Sequence, residues 1–160
     1  MVVDGYNLIH KMPELARLVG TDLERARDSL VSSLAVYRSQ RNVKVTVVFD
    51  GRGMPADNRR QPGGVEVVFS RAPQTADQKI KTLISLERSP RSWTVVTSDN
   101  SIVIYARDYG AKTVRSEDFA AELGKPVRPM ASRGGADDKP EMTKAEIAEW
   151  EEFFRKKPGA

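Results

Sequence analysis

The chain of 160 residues contains no cysteine and a single histidine, His10. The absence of cysteine excludes disulfide bonds, thiolate zinc sites and cysteine nucleophiles. One histidine also disfavours hydrolysis by a histidine acid–base pair, including RNA cleavage through a 2′,3′-cyclic phosphate. Any hydrolytic chemistry is therefore expected to use carboxylates, which usually act through a bound metal ion.

Long hydrophobic runs are missing as well. No segment is long enough to span a bilayer, and no basic-then-apolar signal segment opens the chain, so we expect a cytoplasmic protein without a membrane partner. Hydrophobic residues make up 39% of the chain and charged residues 30%, with a mean hydropathy of -0.48. This composition and length suit one compact domain with an appendage. The net charge of +4 and the pI of 9.4 indicate a mild preference for polyanions.

Apolar runs alternate with segments of helical periodicity, which is typical of a parallel α/β sheet. Valine-rich runs without polar alternation predict strands that are covered on both faces, at residues 1–3, 43–49, 65–69, 93–97 and 111–114. Apolar stripes predict helices over residues 22–41, 76–87, 101–109 and 116–123. The exception is the segment of residues 51–64, which has no helical pattern. Its arginines, glycines and prolines fit a functional mobile loop and a plain surface loop equally well.

The composition changes after Leu123. Residues 125–142 are rich in proline and glycine and are predicted to be a linker that follows a domain of residues 1–124. Thr143 and Glu146 form a capping box that predicts a C-terminal amphipathic helix over residues 143–156. We expect its apolar side to pack on the domain rather than on a partner. The side chains on that side are Ile147, Trp150, Phe153 and Phe154.

Three of the predicted strands end in an aspartate, at Asp4, Asp50 and Asp99. The carboxyl ends of parallel strands line the ligand crevice of an open sheet, so we expect these side chains to converge there. Asp77 opens the helix after the third strand and becomes a fourth acid if that helix starts at the same edge. Each one alone is more often structural than catalytic, as a turn residue, an N-cap or a helix-dipole partner. Clustered carboxylates repel one another unless a cation joins them, and oxygen ligands suit Mg²⁺ or Mn²⁺.

Four segments, in order and in spacing, resemble the YacP-like branch of the NYN domain family over roughly residues 1–124. They are Asp4-Gly5-Tyr6-Asn7-Leu8-Ile9-His10, Val47-Val48-Phe49-Asp50-Gly51, Thr75-Ala76-Asp77 and Val96-Thr97-Ser98-Asp99. The resemblance implies a PIN-like (Rossmann-like) three-layer α/β fold with a mostly parallel five-stranded sheet of order 3-2-1-4-5. It also implies metal-dependent ribonuclease activity, and the branch includes a ribosome-associated endoribonuclease that acts on messenger RNA. The first strand begins almost at Met1, where relatives have a fuller strand, which predicts a truncated or misassigned start.

The resemblance also implies roles for single residues. Asp4, Asp77 and Asp99 are expected to hold Mg²⁺ or Mn²⁺, and Asp50 to be a fourth, more variable catalytic acid. Among the expected substrate-binding residues, Asn7 would orient a ligand or hold the turn at Asp4, while Ser98 and Asn100 flank the metal edge. Five basic residues are further candidates for holding phosphates, although ordinary solvated surface explains each one singly at least as well. These are Arg52, Arg59, Arg60, Arg71 and Lys79.

The sequence therefore predicts a metal-dependent endoribonuclease with RNA as its substrate, the ribosome as an implied partner and no organic cofactor. The alternative is a non-catalytic RNA- or ribosome-binding protein, which would be marked by a lost acid, and none of the four is missing. A small-molecule phosphohydrolase is disfavoured because the chain has no glycine-rich phosphate loop and no aspartate-x-aspartate pair after the first strand. DNA cleavage stays open, since a metal-activated water does not need the 2′-hydroxyl group.

Overall fold

The structure is a computed structural model that describes residues 1–51 and 63–125, together with the backbone of a short strand at Arg59–Arg60. The strands are β1 Val2–Asp4, β2 Thr46–Phe49, β3 Arg59–Arg60, β4 Glu66–Phe69, β5 Thr94–Val96 and β6 Lys112–Val114. The α-helices are α1 Gly5–His10, α2 Pro13–Ala16, α3 Leu23–Arg41, α4 Ala76–Leu86, α5 Asn100–Asp108 and α6 Ser116–Leu123.

The strands form one sheet of order β3-β4-β2-β1-β5-β6. All neighbours pair in parallel except β3 and β4. Without β3, the five parallel strands lie in the order β4-β2-β1-β5-β6. Numbered among themselves along the chain, they have the predicted order 3-2-1-4-5, which is confirmed. β3 pairs antiparallel with β4 and lies within residues 51–64, for which the sequence predicted no regular structure. The pairing covers the edge of β4, whose backbone N–H and C=O groups would otherwise be unpaired.

Valines alternate between the two faces of the sheet, which explains why the strand segments lack polar alternation. Val3 and Val47 belong to one apolar cluster, with side chains of α3 and α6. Val2 and Val48, their neighbours in the chain, belong to the other cluster, with side chains of α4 and α5. Because successive side chains of a strand point to opposite faces, a strand with helices on both sides must be apolar at every position.

The long helices lie close to their predicted positions, whereas α1 and α2 were missed. With six and four residues, these two helices are too short to show a helical period in the sequence. α1 begins directly after β1, at Gly5, where a Cβ atom would overlap the ring of Phe49. Glycine is therefore required for the close contact between the start of α1 and the end of β2.

Among the helices of the described residues, none has the length and hydrophobicity needed to cross a bilayer. The predicted C-terminal helix and, apart from Lys125, the predicted linker lie outside the described residues.

Candidate active site

Asp4, Asp50 and Asp99 lie at the carboxyl ends of β1, β2 and β5, as the sequence predicted. The buried side chain of Thr97 connects two of them. Its hydroxyl group donates a hydrogen bond of 3.1 Å to Oδ2 of Asp4 and accepts one of 3.1 Å from the backbone N–H of Asp99. The loop after β5 is thereby tied to the carboxylate at the end of β1.

The pKa of Asp4 is raised above its ordinary value. The largest cause is burial of the carboxyl group, which disfavours its charged form. Hydrogen bonds from Thr97 and from the backbone of Asn7 lower the pKa, whereas the negative charges of Asp99 and Asp77 raise it. Asp77 and Asp99 are thus close enough to act on Asp4 electrostatically, so the three acids implied as metal ligands lie in one region.

Asp77 lies in the first turn of α4, which opens with a capping box formed by Thr75 and Gln78. Oδ2 of Asp77 is 3.3 Å from the ammonium group of Lys81, which also donates a hydrogen bond of 2.6 Å to Ser101 in the first turn of α5. Oδ1 of Asp77 is buried and has no hydrogen-bond partner. A buried acceptor without a partner is costly, so this oxygen suits a ligand such as a cation or a water molecule.

Asp99 is exposed and is also the N-cap of α5, because its Oδ1 accepts a hydrogen bond of 2.8 Å from the backbone N–H of Ser101. The capping role inferred from sequence is therefore real. The cap does not move Asp99 away from the carboxyl edge of the sheet, so capping α5 is compatible with a role as a ligand there.

Asp50 is bound by a residue next to β4. Its Oδ1 accepts a hydrogen bond of 3.2 Å from Ser70, which follows β4, and the Ser70 hydroxyl also accepts a bond of 3.3 Å from the backbone of Gly51. The charges that raise the pKa of Asp4 are those of Asp99 and Asp77. The carboxylate of Asp50 is directed toward β4, on the far side of β2 from β1.

Asn7 holds the loop that precedes Asp99. Its side-chain oxygen accepts a hydrogen bond of 2.9 Å from the backbone N–H of Ser98 and one of 2.7 Å from the hydroxyl of Ser116. The backbone N–H of Ser116 donates in turn to the Ser98 hydroxyl over 3.0 Å. Asn7 and Ser98, both predicted as substrate-binding residues, therefore make contacts that position the site.

Glu117 and Lys11 extend this network, and neither was among the site residues predicted from the sequence. The carboxylate of Glu117 accepts a hydrogen bond from Ser98 and forms an ion pair of 2.9 Å with Lys11. The bond from Ser98, followed by that from Lys11, lowers the pKa of Glu117 to about 2. Glu117 is an acid in the first turn of α6. An acid in the first turn of a helix was also the sequence signal that identified Asp77 at the start of α4, so the same signal could have identified Glu117.

The remaining predicted substrate residues lie on or next to α4, α5 and β4, or outside the described residues. Asn100 is exposed at the start of α5, Arg71 is exposed just after β4, and Lys79 is half-buried on α4. Arg52 and the side chains of Arg59 and Arg60 lie outside the described residues.

In residues 1–51 and 63–125, no three acidic or histidine side chains are grouped as a ready set of metal ligands. The donors still fit Mg²⁺ or Mn²⁺, because they are all oxygen atoms and Oδ1 of Asp77 is buried without a partner. Mg²⁺ usually keeps several water ligands and needs only one or two carboxylates. The acids that could hold such an ion are Asp4, Asp77 and Asp99.

Comparison with known proteins gives consistent matches. The family model of the YacP-like NYN domain matches residues 1–155. The protein YacP of Bacillus subtilis (strain 168) is 37% identical over 101 residues, which cover 62% of this chain and 59% of that relative. The chain is thus matched to less than two thirds of the relative's length.

Two crystal structures of Rae1 (YacP) from Bacillus subtilis are similar to this chain. The W164L mutant matches with a TM-score of 0.64 and 32% identity, covering 76% of this chain and 72% of the other. The second structure matches with a TM-score of 0.64 and 28% identity, covering 97% and 79%.

Proposed function

The chain belongs to the YacP-like NYN domain family, and on that basis we propose that it is a metal-dependent endoribonuclease. NYN domains are part of the PIN-like nuclease superfamily, which supports a nuclease-type function related to RNA. The observation that carries the proposal is the placement of three acids: Asp4 ends β1, Asp99 follows β5, and Asp77 at the start of α4 has a buried Oδ1 without a hydrogen-bond partner. The charges of Asp77 and Asp99 add to the rise in the pKa of the buried Asp4. Negative charges that raise the pKa of a buried carboxyl group disfavour its ionised form, and a cation at the site would offset this repulsion.

We propose Mg²⁺ or Mn²⁺ as the cofactor, held by Asp4, Asp77 and Asp99 directly or through water. When bound, such an ion polarises a phosphoryl oxygen and lowers the pKa of a coordinated water. The chain's own residues keep the ligands in place. Thr97 orients the carboxylate of Asp4, and the capping bond to Ser101 fixes that of Asp99.

Asp50 is proposed as an outer catalytic acid that acts through water, because its carboxylate already accepts a hydrogen bond from Ser70. Asn7 and Ser98 are proposed to position Asp99. Substrate phosphates are proposed to contact basic and amide side chains of the chain. These candidates are Arg52, Arg59, Arg60, Arg71, Lys79 and Asn100.

The proposed substrate is RNA in the cytoplasm, with messenger RNA on the ribosome as the specific case that the family resemblance implies. Attack by water in line with the leaving oxygen gives products with a 5′-phosphate and a 3′-hydroxyl group. A pI of 9.4 is consistent with binding to a polyanion.

The test is to incubate the protein with structured RNAs and with ribosome-bound messenger RNA, in the presence of Mg²⁺, Mn²⁺ or EDTA. Mapping of the cleaved ends should show internal cuts with 5′-phosphates that appear with either ion and disappear with EDTA. Asp99→Asn is the matched inactive variant. Cleavage that persists in EDTA or in Asp99→Asn would contradict the proposal.

A non-catalytic RNA-binding protein is the second candidate. The observation in its favour is that no three acids of the described residues are grouped as ready metal ligands. The same experiment separates the two candidates, because this alternative predicts RNA binding without cleavage under every ionic condition.

A further inference from the structure

Arg27 on α3 is a buried arginine without an acidic partner among the described residues. Its side chain is 9% exposed. The guanidinium carbon lies 5.5 Å from the centre of the Phe69 ring, and Nη1 donates a hydrogen bond of 3.2 Å to the hydroxyl of Tyr6. None of the ion pairs in the described part of the chain, which are counted up to 4.0 Å, involves Arg27.

The position of Arg27 in the sequence is unusual for a charged residue. It precedes Leu30 by three residues and Leu34 by seven, so it lies on the apolar stripe of α3. Burial of a charge is costly unless an opposite charge or several hydrogen bonds compensate it. A ring face and one neutral hydroxyl compensate it only in part. The charge is therefore retained at the expense of packing.

The guanidinium group also keeps donors available. Arginine has five N–H groups, and the bond to Tyr6 uses one. In the part of the chain that the structure describes, the only fully buried side-chain nitrogen or oxygen atoms without partners are Arg38 Nε and Asp77 Oδ1. No nitrogen of Arg27 is among these atoms, which indicates that the guanidinium group keeps some contact with the surface.

The surroundings of Arg27 place it at the same edge as the acids. Tyr6 follows Asp4 by two residues, and Phe69 directly precedes Ser70, which holds Asp50. The rings of Tyr6 and Phe69 pack on Phe49 from either side, with centroid distances of 5.1 and 5.8 Å. This row of rings gives the guanidinium group a rigid base between the ends of β1 and β4.

We propose that Arg27 binds a phosphate group of the RNA substrate, beside the acids at the carboxyl edge of the sheet. The proposal rests on the proposed function, since it names the group that receives the RNA backbone. A guanidinium group forms two parallel hydrogen bonds to phosphate oxygens. The phosphate also supplies a negative charge, which no ion pair among the described residues gives to Arg27. The hydroxyl hydrogen of Tyr6 is available to the same phosphate. A cation here also offsets the repulsion between the acids and the RNA backbone.

The alternative role for Arg27 is purely structural, and the two roles predict opposite effects on stability. Arg27→Met keeps a long side chain but removes the charge. If Arg27 serves to bind phosphate, this change leaves the melting temperature unchanged or raises it, because a buried charge without an opposite charge beside it is removed. If Arg27 holds the scaffold together, the melting temperature falls.

The experiment uses the full chain with Asp99→Asn to prevent cleavage and measures binding of a short single-stranded RNA over a range of salt concentrations. Adding Arg27→Met should weaken binding by roughly tenfold and lower the salt slope of the binding constant by about one. Arg27→Lys should recover part of the affinity, because it restores the charge without the paired donors. Arg25→Met is the matched control, since it removes the same charge from an exposed position of α3 and should have a smaller effect.

Two further arms identify the phosphate. RNAs with a 5′-hydroxyl or a 5′-phosphate separate an internal from a terminal phosphate, and an Arg27 effect on either supports the proposal. Inorganic phosphate should raise the melting temperature of the Arg25→Met protein but not of the Arg27→Met protein.

Unchanged RNA affinity and salt slope in Arg27→Met would overturn the proposal. If that variant does not fold, normal affinity in Arg27→Lys would overturn it instead. If the Asp99→Asn protein itself binds no RNA, the proposed function fails, while the inorganic phosphate arm still decides whether Arg27 is a phosphate site.

Discussion

The hydroxyl group of Thr97 donates a hydrogen bond of 3.1 Å to Oδ2 of Asp4, although the two residues are 93 positions apart in the sequence. Thr97 is fully buried at the end of β5, and Asp4 ends the adjacent strand β1. The contact therefore depends on the parallel pairing of these two strands. Through it, the carboxylate with the raised pKa is held in one orientation at the carboxyl edge.

Replacement of Thr97 by valine keeps the shape of the side chain but removes this hydroxyl group. The carboxylate of Asp4 and the backbone N–H of Asp99 then each lose a partner, so we expect a loss of about 1–3 kcal/mol in the free energy of unfolding. RNA cleavage should fall as well. Urea unfolding checks the stability, with Thr97→Ser as the variant that restores the hydroxyl and Thr94→Val as the control on the same strand. Equal stability of Thr97→Val and the parent would show that the hydrogen bond contributes nothing.

Asp99→Asn is expected to abolish cleavage while the melting temperature stays the same or rises slightly. Asparagine is as good an N-cap as aspartate, and the change removes a charge that repels Asp4. Asp99→Ala should lose cleavage too, but it should also lose about 1 kcal/mol because α5 is no longer capped. Cleavage and thermal melting are measured on the same preparations. Full activity in Asp99→Asn would remove this residue from the proposed site.

Asn7→Ala is expected to destabilise the protein, since the backbone N–H of Ser98 and the hydroxyl of Ser116 both lose their acceptor. A cost of about 1–3 kcal/mol is expected for such unpaired groups. Asn7→Asp retains the acceptor oxygen and should be less destabilised than Asn7→Ala in urea unfolding. In an Asn7→Ala, Ser116→Ala double variant, the two losses should not add, because the residues share one bond. Additive losses would contradict the network.

Glu117→Gln tests how the interactions of the Glu117 carboxylate with Ser98 and Lys11 depend on pH. Because the pKa of Glu117 is lowered from 4.5 to about 2, the unfolded chain binds more protons than the folded one between these values. The stabilising contribution is therefore complete above pH 4.5 and is lost as the pH falls toward 2. The parent should melt above Glu117→Gln at neutral pH, and the difference should shrink across this interval and with added salt.

The control for this measurement is Glu24→Gln, an exposed acid in the first turn of α3. Its difference from the parent should not follow the same pH course. A Glu117→Gln difference that stays constant from neutral pH to pH 2 would show that the interactions of the Glu117 carboxylate with Ser98 and Lys11 do not stabilise the fold.

The sheet and the position of the acids along it could be predicted from the sequence. Valine runs that are apolar at every position occur where helices cover both faces, and this pattern is visible within each strand segment. The aspartates at the ends of β1, β2 and β5 were then assigned to one edge, because the carboxyl ends of parallel strands meet there. The cap at Asp99 and the helix start at Asp77 follow from local rules as well.

Which of these residues act on one another depends on the tertiary structure. It places Asp77 and Asp99 near Asp4, it joins Asp50 to Ser70, and it joins Glu117 to Lys11. It also adds α1, α2 and β3, which are too short to show a period. Arg27 is the clearest example, because its place in the sequence does not indicate that its charge is buried without an acidic partner among the described residues. Such contacts join residues that are distant in sequence, so they depend on how the helices pack on the sheet, which no local sequence pattern shows.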